Sequence, residues 1–558
     1  MKKEVLVGDE LFEEFIRENG YYVDKTELIF DLLSEGRNKV TLFTRPRRFG
    51  KTLAMSMMES FFDIRRTSQE LFQGLNILER HPDFCGEWMN QYPVIFISFK
   101  DVEGLTFPSA LKLLKTVFSD FCKKNVYLLE NEKVDTDDAE KFRRLKSEIA
   151  ELEDLKSALK TIMRMMHAVY GKQVILLIDE YDVPLAKARE SRDPEYYRQM
   201  LDVIRGILSI TLKTNEYLKF AVVTGCLQIS KESIFTGVNN FSCYSVTSKK
   251  FSSYFGFTRD EVFNMLEEFG MSEKLGLIQE WYDGYIFGDT EVFCPWDVVK
   301  YMLSVIDGSG EEPQNFWANT SSNNILDEFV GQTAFDVSDK LEILLNGGTI
   351  TEDISEELTY DHVSDSEKNY WSTLLMTGYI SKADKAISKR RVSLRIPNQE
   401  ISGLFVNAVV ERFNRTLDTR DVDELLAALW RKDDITATNT LSEILLKSIS
   451  YHDFHENYYH GMMKGIFTAR GYAVKSNIEA GTGRLDLFVT DKKNRRAALL
   501  EFKISTDETN MDADCDAALK QVIDNKYYRE LPPGYDHLIY GIAFYKKDAR
   551  VKYLDMVL

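Results

Sequence analysis

Two groups of residues in this chain have the types and spacing to do chemistry. The first begins in Arg45-Pro46-Arg47-Arg48-Phe49-Gly50-Lys51-Thr52-Leu53, which follows the apolar run Val40-Thr41-Leu42-Phe43. A glycine there lets backbone N–H groups approach a phosphate closely. The lysine after it reaches β- and γ-phosphates, and the next hydroxyl ligates Mg²⁺. Gly50, Lys51 and Thr52 stand in that order, so residues 45–53 are the candidate ATP cradle, although the full pattern wants glycine where Arg45 stands. Val174-Ile175-Leu176-Leu177-Ile178 is a second apolar run and ends in Asp179 and Glu180. Asp179 is suited to hold Mg²⁺ through water and Glu180 to polarise an attacking water. Thr224 closes a third run and is placed to sense the γ-phosphate or orient that water.

The second group is Glu456, Asp486, Glu501 and Lys503. Glu501 and Lys503 are two residues apart, so on a strand both project from one face. Charges inside apolar strands are costly unless paired or bound to something. Asp486 and Glu501 are the candidate ligands for one or two hard cations, Mg²⁺ or Mn²⁺, beside a scissile phosphate. Lys503 would orient or deprotonate water or neutralise the phosphate, and Glu456 would add a carboxylate from the preceding helix. The bland alternative is a charged pair on an edge strand. His452, Glu456 and His460 recur at i,i+4, which zinc can use, but the downstream carboxylates explain Glu456 better.

The elements that must position these groups follow from periodicity. The three runs ending at residues 44, 179 and 224 read as buried parallel strands, and open α/β sheets bind ligands at the carboxyl ends of their strands. Together they describe an additional-strand P-loop ATPase core. Val94–Phe99 is a further strand, and Leu111, Leu114, Phe118 and Phe121 share one helical face. Residues 137–167 read as one or two charged helices with Phe142, Leu145, Ile149, Leu152, Leu159 and Ile162 inward. A helical segment is expected after Phe257, a helix with proline near its start at Cys294-Pro295-Trp296, a strand at 390–396 and helices over 398–430. Near the C-terminus come a helix through Met463 and Phe467, a strand over 472–477, and a hairpin of 484–489 with 498–504 around Asp491-Lys492-Lys493-Asn494.

The 558 residues suit three or four domains at ~100–200 residues each. A net charge of −19 argues against a protein that coats nucleic acid non-specifically, so any such contact needs local basic patches, with Arg45–Lys51 and Lys492–Arg496 the candidates. Six single cysteines with no Cys-x-x-Cys point to a reducing, cytoplasmic setting rather than a disulfide framework. The first residues lack a signal peptide's apolar run, and no stretch of ~18 apolar residues suggests a membrane span.

Residues 21–300 resemble the predicted AAA-ATPase-like family of bacteria. The motifs that carry this are Tyr22-Val23-Asp24-Lys25-Thr26, Arg45–Thr52, Ile178-Asp179-Glu180-Tyr181-Asp182-Val183-Pro184, Lys231-Glu232-Ser233-Ile234-Phe235 and Trp281-Tyr282-Asp283-Gly284-Tyr285. That family carries arginine at the position of Arg45. It often has an arginine near Gln228, and the departure here bears on hydrolysis rather than binding. Asp486-x14-Glu501-x-Lys503 after a Glu-bearing helix is similar to PD-(D/E)XK nucleases, whose further glutamine and tyrosine match Gln521 and Tyr527 or Tyr528. The usual proline before the aspartate is Leu485.

The resemblance implies an α/β multidomain chain. Residues 1–254 would be the P-loop, AAA-like ATPase domain and 255–430 a helical lid and connecting region. Residues 431–558 would be a restriction-endonuclease-like nuclease domain. The implied activity is ATP binding and hydrolysis coupled to metal-dependent cleavage of nucleic acid, taken as DNA. The alternative is an ATP-driven switch whose C-terminal module grips nucleic acid or partners without cutting. ATPases of this class often borrow an arginine from a neighbour, which leaves homo-oligomerisation open. Arg45, Arg47 and Arg48 are the local candidates for that role.

Overall fold

The structure, a computed structural model, describes residues 3–8, 10–34, 38–229, 241–317, 324–331, 337–358, 360–384, 391–416, 419–448, 456–480 and 483–554. The chain divides into two compact units, Met1–Thr320 with Thr351–Glu400 and Ser321–Ile350 with Ile401–Leu558.

The first unit is built on a parallel sheet of β1 (Val40–Thr44), β2 (Val94–Ser98), β3 (Val174–Asp179), β4 (Leu218–Gly225) and β5 (Phe241–Tyr244). The spatial order is β2-β3-β4-β1-β5. The strand that ends in Thr224 thus lies between the P-loop strand and the strand that ends in Asp179, which is the additional-strand arrangement. All of β3 is buried, as its unbroken apolar run requires of a strand covered on both faces. Register sets Ser98 opposite Asp179 and Phe43 opposite Thr224, so the polar strand ends share one sheet edge.

Helix α1 (Lys51–Phe62) follows β1 directly and buries Met55, Met58, Phe61 and Phe62. The charged stretch after residue 136 is broken into Thr136–Lys146, Leu152–Lys156 and Ala158–Tyr170. Ile149 lies between the first two pieces and is exposed, against the expectation of an inward position. A helical cluster of Arg259–Glu268, Leu275–Tyr282 and Pro295–Ile306 packs around Val262, Ile278, Tyr282 and Tyr301, with Pro295 in the first turn of its helix.

In the second unit, β6 (Ala473–Ala480), β7 (Gly483–Asp491), β8 (Arg496–Ile504), β9 (Asp536–Tyr545) and β10 (Asp548–Tyr553) form a mixed sheet in sequence order. Only the β8–β9 pair is parallel. Strand alternation splits the sheet's two faces. Ala498, Leu500 and Phe502 join the core under helix α2 (Glu456–Ala469). Leu499 packs instead with Leu519 and Val522 of helix α3 (Met511–Asp524). Glu501 and Lys503 have the parity of Leu499, so they fall on the α3 face. Gly541 allows that helix to lie close, since a Cβ there would stand 2.4 Å from the Cys515 carbonyl oxygen.

Among the described residues all six cysteines are free, and no helix is long and apolar enough to cross a membrane. Lys231–Phe235, His452 and His455 lie outside the described residues, as does the side chain of Glu456.

Candidate active sites

The P-loop is a backbone device first. Arg48 and Gly50 both take left-handed φ, +72° and +81°, and turn the chain from β1 into α1. Gly50 has open space where a Cβ would stand. Lys51, almost fully buried, donates to the carbonyls of Pro46 and Arg45 at 3.0 and 3.2 Å and lies 3.3 Å from Glu180 Oε1. Thr52 Oγ1 donates to Asp179 Oδ2 at 2.9 Å, while Thr224 Oγ1 donates to Asp179 Oδ1. Four residues singled out in the sequence thus converge on one carboxylate: Lys51 and Glu180 beside it, Thr52 and Thr224 on it.

Electrostatics follow from burial. The Asp179 carboxyl is raised from the usual range by burial and by Glu180 beside it, against the pull of Thr224, Lys51 and Thr52. Burial alone would lower Lys51, yet Cys226, Glu180, Asp179 and Asp182 around it hold its ammonium above its ordinary value. Glu180 adopts φ +51°, a strained conformation for a side-chain-bearing residue, and its Oε2 is buried with no hydrogen-bond partner among the described residues. Thr52 and Asp179 form a hard oxygen donor set that fits Mg²⁺, and Lys51 and Gly50 fit a phosphate.

The rest of residues 45–53 divide by role. Pro46 is buried, and Phe49 is buried against the rings of Tyr285 and Phe287. Leu53 is half-buried. Arg45 is fully buried and its guanidinium donates to the carbonyls of Thr44, Tyr244 and Phe251, between the faces of Phe255 and Phe287. Its side chain is therefore a packing element of the fold rather than a ligand-facing group. Asp182 and Tyr360 are members of the site that sequence reasoning passed over. Asp182 Oδ2 accepts from the backbone N–H groups of Cys226 and Leu227 and from Tyr360 at 2.9 Å. Asp182 stood inside the quoted motif and could have been found there. Tyr360 lies 178 residues away with no local signal.

In the second unit the β7–β8 register runs Leu487 opposite Leu500, which brings Asp486 against Glu501. The Asp486 N–H points at Glu501 Oε2 at 3.4 Å, and Asp486 Oδ2 accepts from the Phe502 N–H at 2.7 Å. Glu501 is buried. Gln521, reaching in from α3, donates to Glu501 Oε1 and accepts from Lys503 Nζ at 2.7 Å. His460 of α2 meets the Asp486 carbonyl at 2.8 Å and lies edge-on to Phe502. Asp486 and Glu501 supply hard oxygens on paired strands, which fits a divalent cation. No group of three or more His, Cys, Asp or Glu is gathered for a metal among the described residues, and the third carboxylate assigned from sequence, Glu456, opens α2. Tyr527 is buried.

The turn Asp491–Asn494 is closed by Asp491, which accepts from the Asn494 backbone and side chain and from Arg496. Arg496 also covers the ring of Trp430 at 4.6 Å. Of this candidate basic patch, only Lys492, Lys493 and Arg495 are exposed cations.

Comparison with known proteins agrees with this division. Residues 7–235 match the family described as predicted AAA-ATPase, and residues 454–553 match the PD-(D/E)XK nuclease superfamily. These two matches support ATPase and nuclease potential in the corresponding stretches. It is also similar to a protein of Azotobacter chroococcum mcd 1, described as an uncharacterized protein in the vnfD 5′ region. The two are 25% identical over 531 residues, which covers 90% of each chain.

Proposed function

We propose that this chain binds and hydrolyses ATP with Mg²⁺ and that its C-terminal domain cleaves phosphodiester bonds, with DNA as the target and nucleotide state as the control. The observation that carries the reading is the linked set Asp486–Glu501–Gln521–Lys503, in which one glutamine joins the lysine to the second carboxylate, which lies beside the first.

Asp486 and Glu501 would hold the cation, Mg²⁺ or Mn²⁺, which when bound supplies Lewis acidity toward the scissile phosphate. Lys503 offsets charge developing on that phosphate. Gln521 fixes the distance between Glu501 and Lys503. In the first unit, Thr52 and Asp179 would hold Mg²⁺, Lys51 would neutralise the β- and γ-phosphates, and Glu180 would take a proton from the attacking water.

Labelled single- and double-stranded DNA and RNA, incubated in Mg²⁺ or Mn²⁺ with and without ATP, test the reading against Glu501→Ala and Lys503→Ala. Cutting that disappears in both variants and changes with ATP is the expected result. A folded chain that cuts nothing, while ATP still raises its melting temperature, would replace this reading with a nucleotide switch.

A further inference from the structure

The three arginines of the P-loop meet different fates. Arg45 spends its guanidinium on three backbone carbonyls in the core. Arg48 donates to the Phe316 carbonyl at 3.2 Å and lies over the ring of Trp296 at 5.0 Å. Arg47, between Pro46 and Arg48, is half-buried and makes no hydrogen bond or ion pair among the described residues.

Two acidic side chains near it are incompletely bonded. Glu180 Oε2 and Asp182 Oδ1 are both buried without a hydrogen-bond partner among the described residues. Burial works against the charge of Arg47, yet Cys226, Tyr360, Glu180 and Asp182 together hold its guanidinium above its ordinary value, so it stays a cation. A planar fork of five N–H donors, partly withdrawn from water and unbonded among the described residues, matches the oxygens of a phosphate in shape and charge.

We propose that Arg47 is the arginine that meets the γ-phosphate of bound ATP, supplied by the same chain that holds the nucleotide. The proposal rests on the ATPase reading above. In the hydrolysis step, water oxygen bonds to the γ-phosphorus, the bond to the β-phosphate oxygen breaks, and the water proton passes to Glu180. ADP leaves with the electron pair. Arg47 acts on the charge that gathers on the transferring oxygens, beside Lys51. No neighbouring chain is then needed to complete the site.

The test uses the full chain as wild type, Arg47→Ala and Arg47→Lys, with melting temperature as the check on folding. Calorimetry measures ADP alone and ADP with aluminium fluoride, which mimics the transferring phosphate, and ATP turnover is followed separately. The expected result is ADP affinity in Arg47→Ala within about threefold of wild type, loss of the tightening by aluminium fluoride, and a kcat lower by about 100-fold or more with little change in KM. Arg47→Lys should recover part of both, and wild-type kcat per chain should not change on dilution. Wild-type turnover in Arg47→Ala, or ADP affinity falling in step with kcat, would overturn the proposal alone. A wild-type chain that binds no nucleotide would overturn the ATPase reading and this proposal with it.

Discussion

The hydroxyl of Thr52 donates to Oδ2 of Asp179 across 2.9 Å, tying the first turn of α1 to the end of β3. The two residues are 127 positions apart in the chain. Their contact is possible because β1 and β3 end at one edge of the same parallel sheet, with β4 between them.

Among the described residues, Thr52→Ala would leave that Asp179 oxygen with only the 3.4 Å contact from Ser98. A buried carboxylate that loses a hydrogen bond costs about 1–3 kcal/mol. Urea unfolding should register a loss in that range, and Mg²⁺-dependent ATP affinity should fall about tenfold or more, equivalent to about 1.4 kcal/mol. Thr52→Ser keeps the hydroxyl and should retain both properties.

Gln521 is expected to act on the nuclease through its neighbours. Gln521→Ala frees Lys503 Nζ and Glu501 Oε1 from their shared partner. Outer partners of this kind typically contribute 10–100-fold in metal affinity or activity. Single-turnover cleavage across a Mn²⁺ titration should show a rate loss in about that range, with the midpoint moved to higher metal. A variant indistinguishable from wild type would reduce Gln521 to packing.

Gly541→Ala changes no chemical group yet should impair the same site. Gly541 pairs with Glu501 in the β8–β9 ladder, and an added Cβ would stand 2.4 Å from the Cys515 carbonyl and 2.9 Å from Leu519 Cγ. Helix α3, which carries Gln521, must move outward. Overpacking of this kind costs about 1–3 kcal/mol. Denaturant unfolding should show that loss together with reduced cleavage.

What the sequence made legible is what is local. Gly50, Lys51 and Thr52 adjoin one another, and the apolar run before Asp179 announces a strand buried on both faces. The parity of Glu501 and Lys503 alone puts them on one side of β8. The fate of Arg45 was not legible, because the carbonyls of Tyr244 and Phe251 that hold it lie about 200 residues downstream. Nor was Tyr360, which reaches Asp182 through a tertiary contact with no motif around it. Ile149 read as a core position on a helix, but the charged stretch breaks there and its side chain faces water.

The buried acids Asp297 and Glu400 make stability depend on pH. Glu400 Oε1 accepts from the Phe316 and Trp317 N–H groups at 2.6 and 2.9 Å, and its carboxyl shares a hydrogen bond with the buried Asp297. Burial first, then the charge of Asp297, push the Glu400 carboxyl up to about 9. A folded-state value above the unfolded one means the native chain keeps a proton that the unfolded chain releases. That contribution is fully present below the unfolded value and is lost as pH rises through about 9. Glu400→Gln keeps an oxygen for the two N–H groups and cannot ionise. Wild-type stability should therefore fall more steeply than the variant's between neutral pH and about 9, by up to about 1.4 kcal/mol per pH unit. Urea unfolding at pH 6, 7, 8 and 9 checks this, and parallel curves for the two proteins would show that Glu400 is already ionised in the native chain at neutral pH.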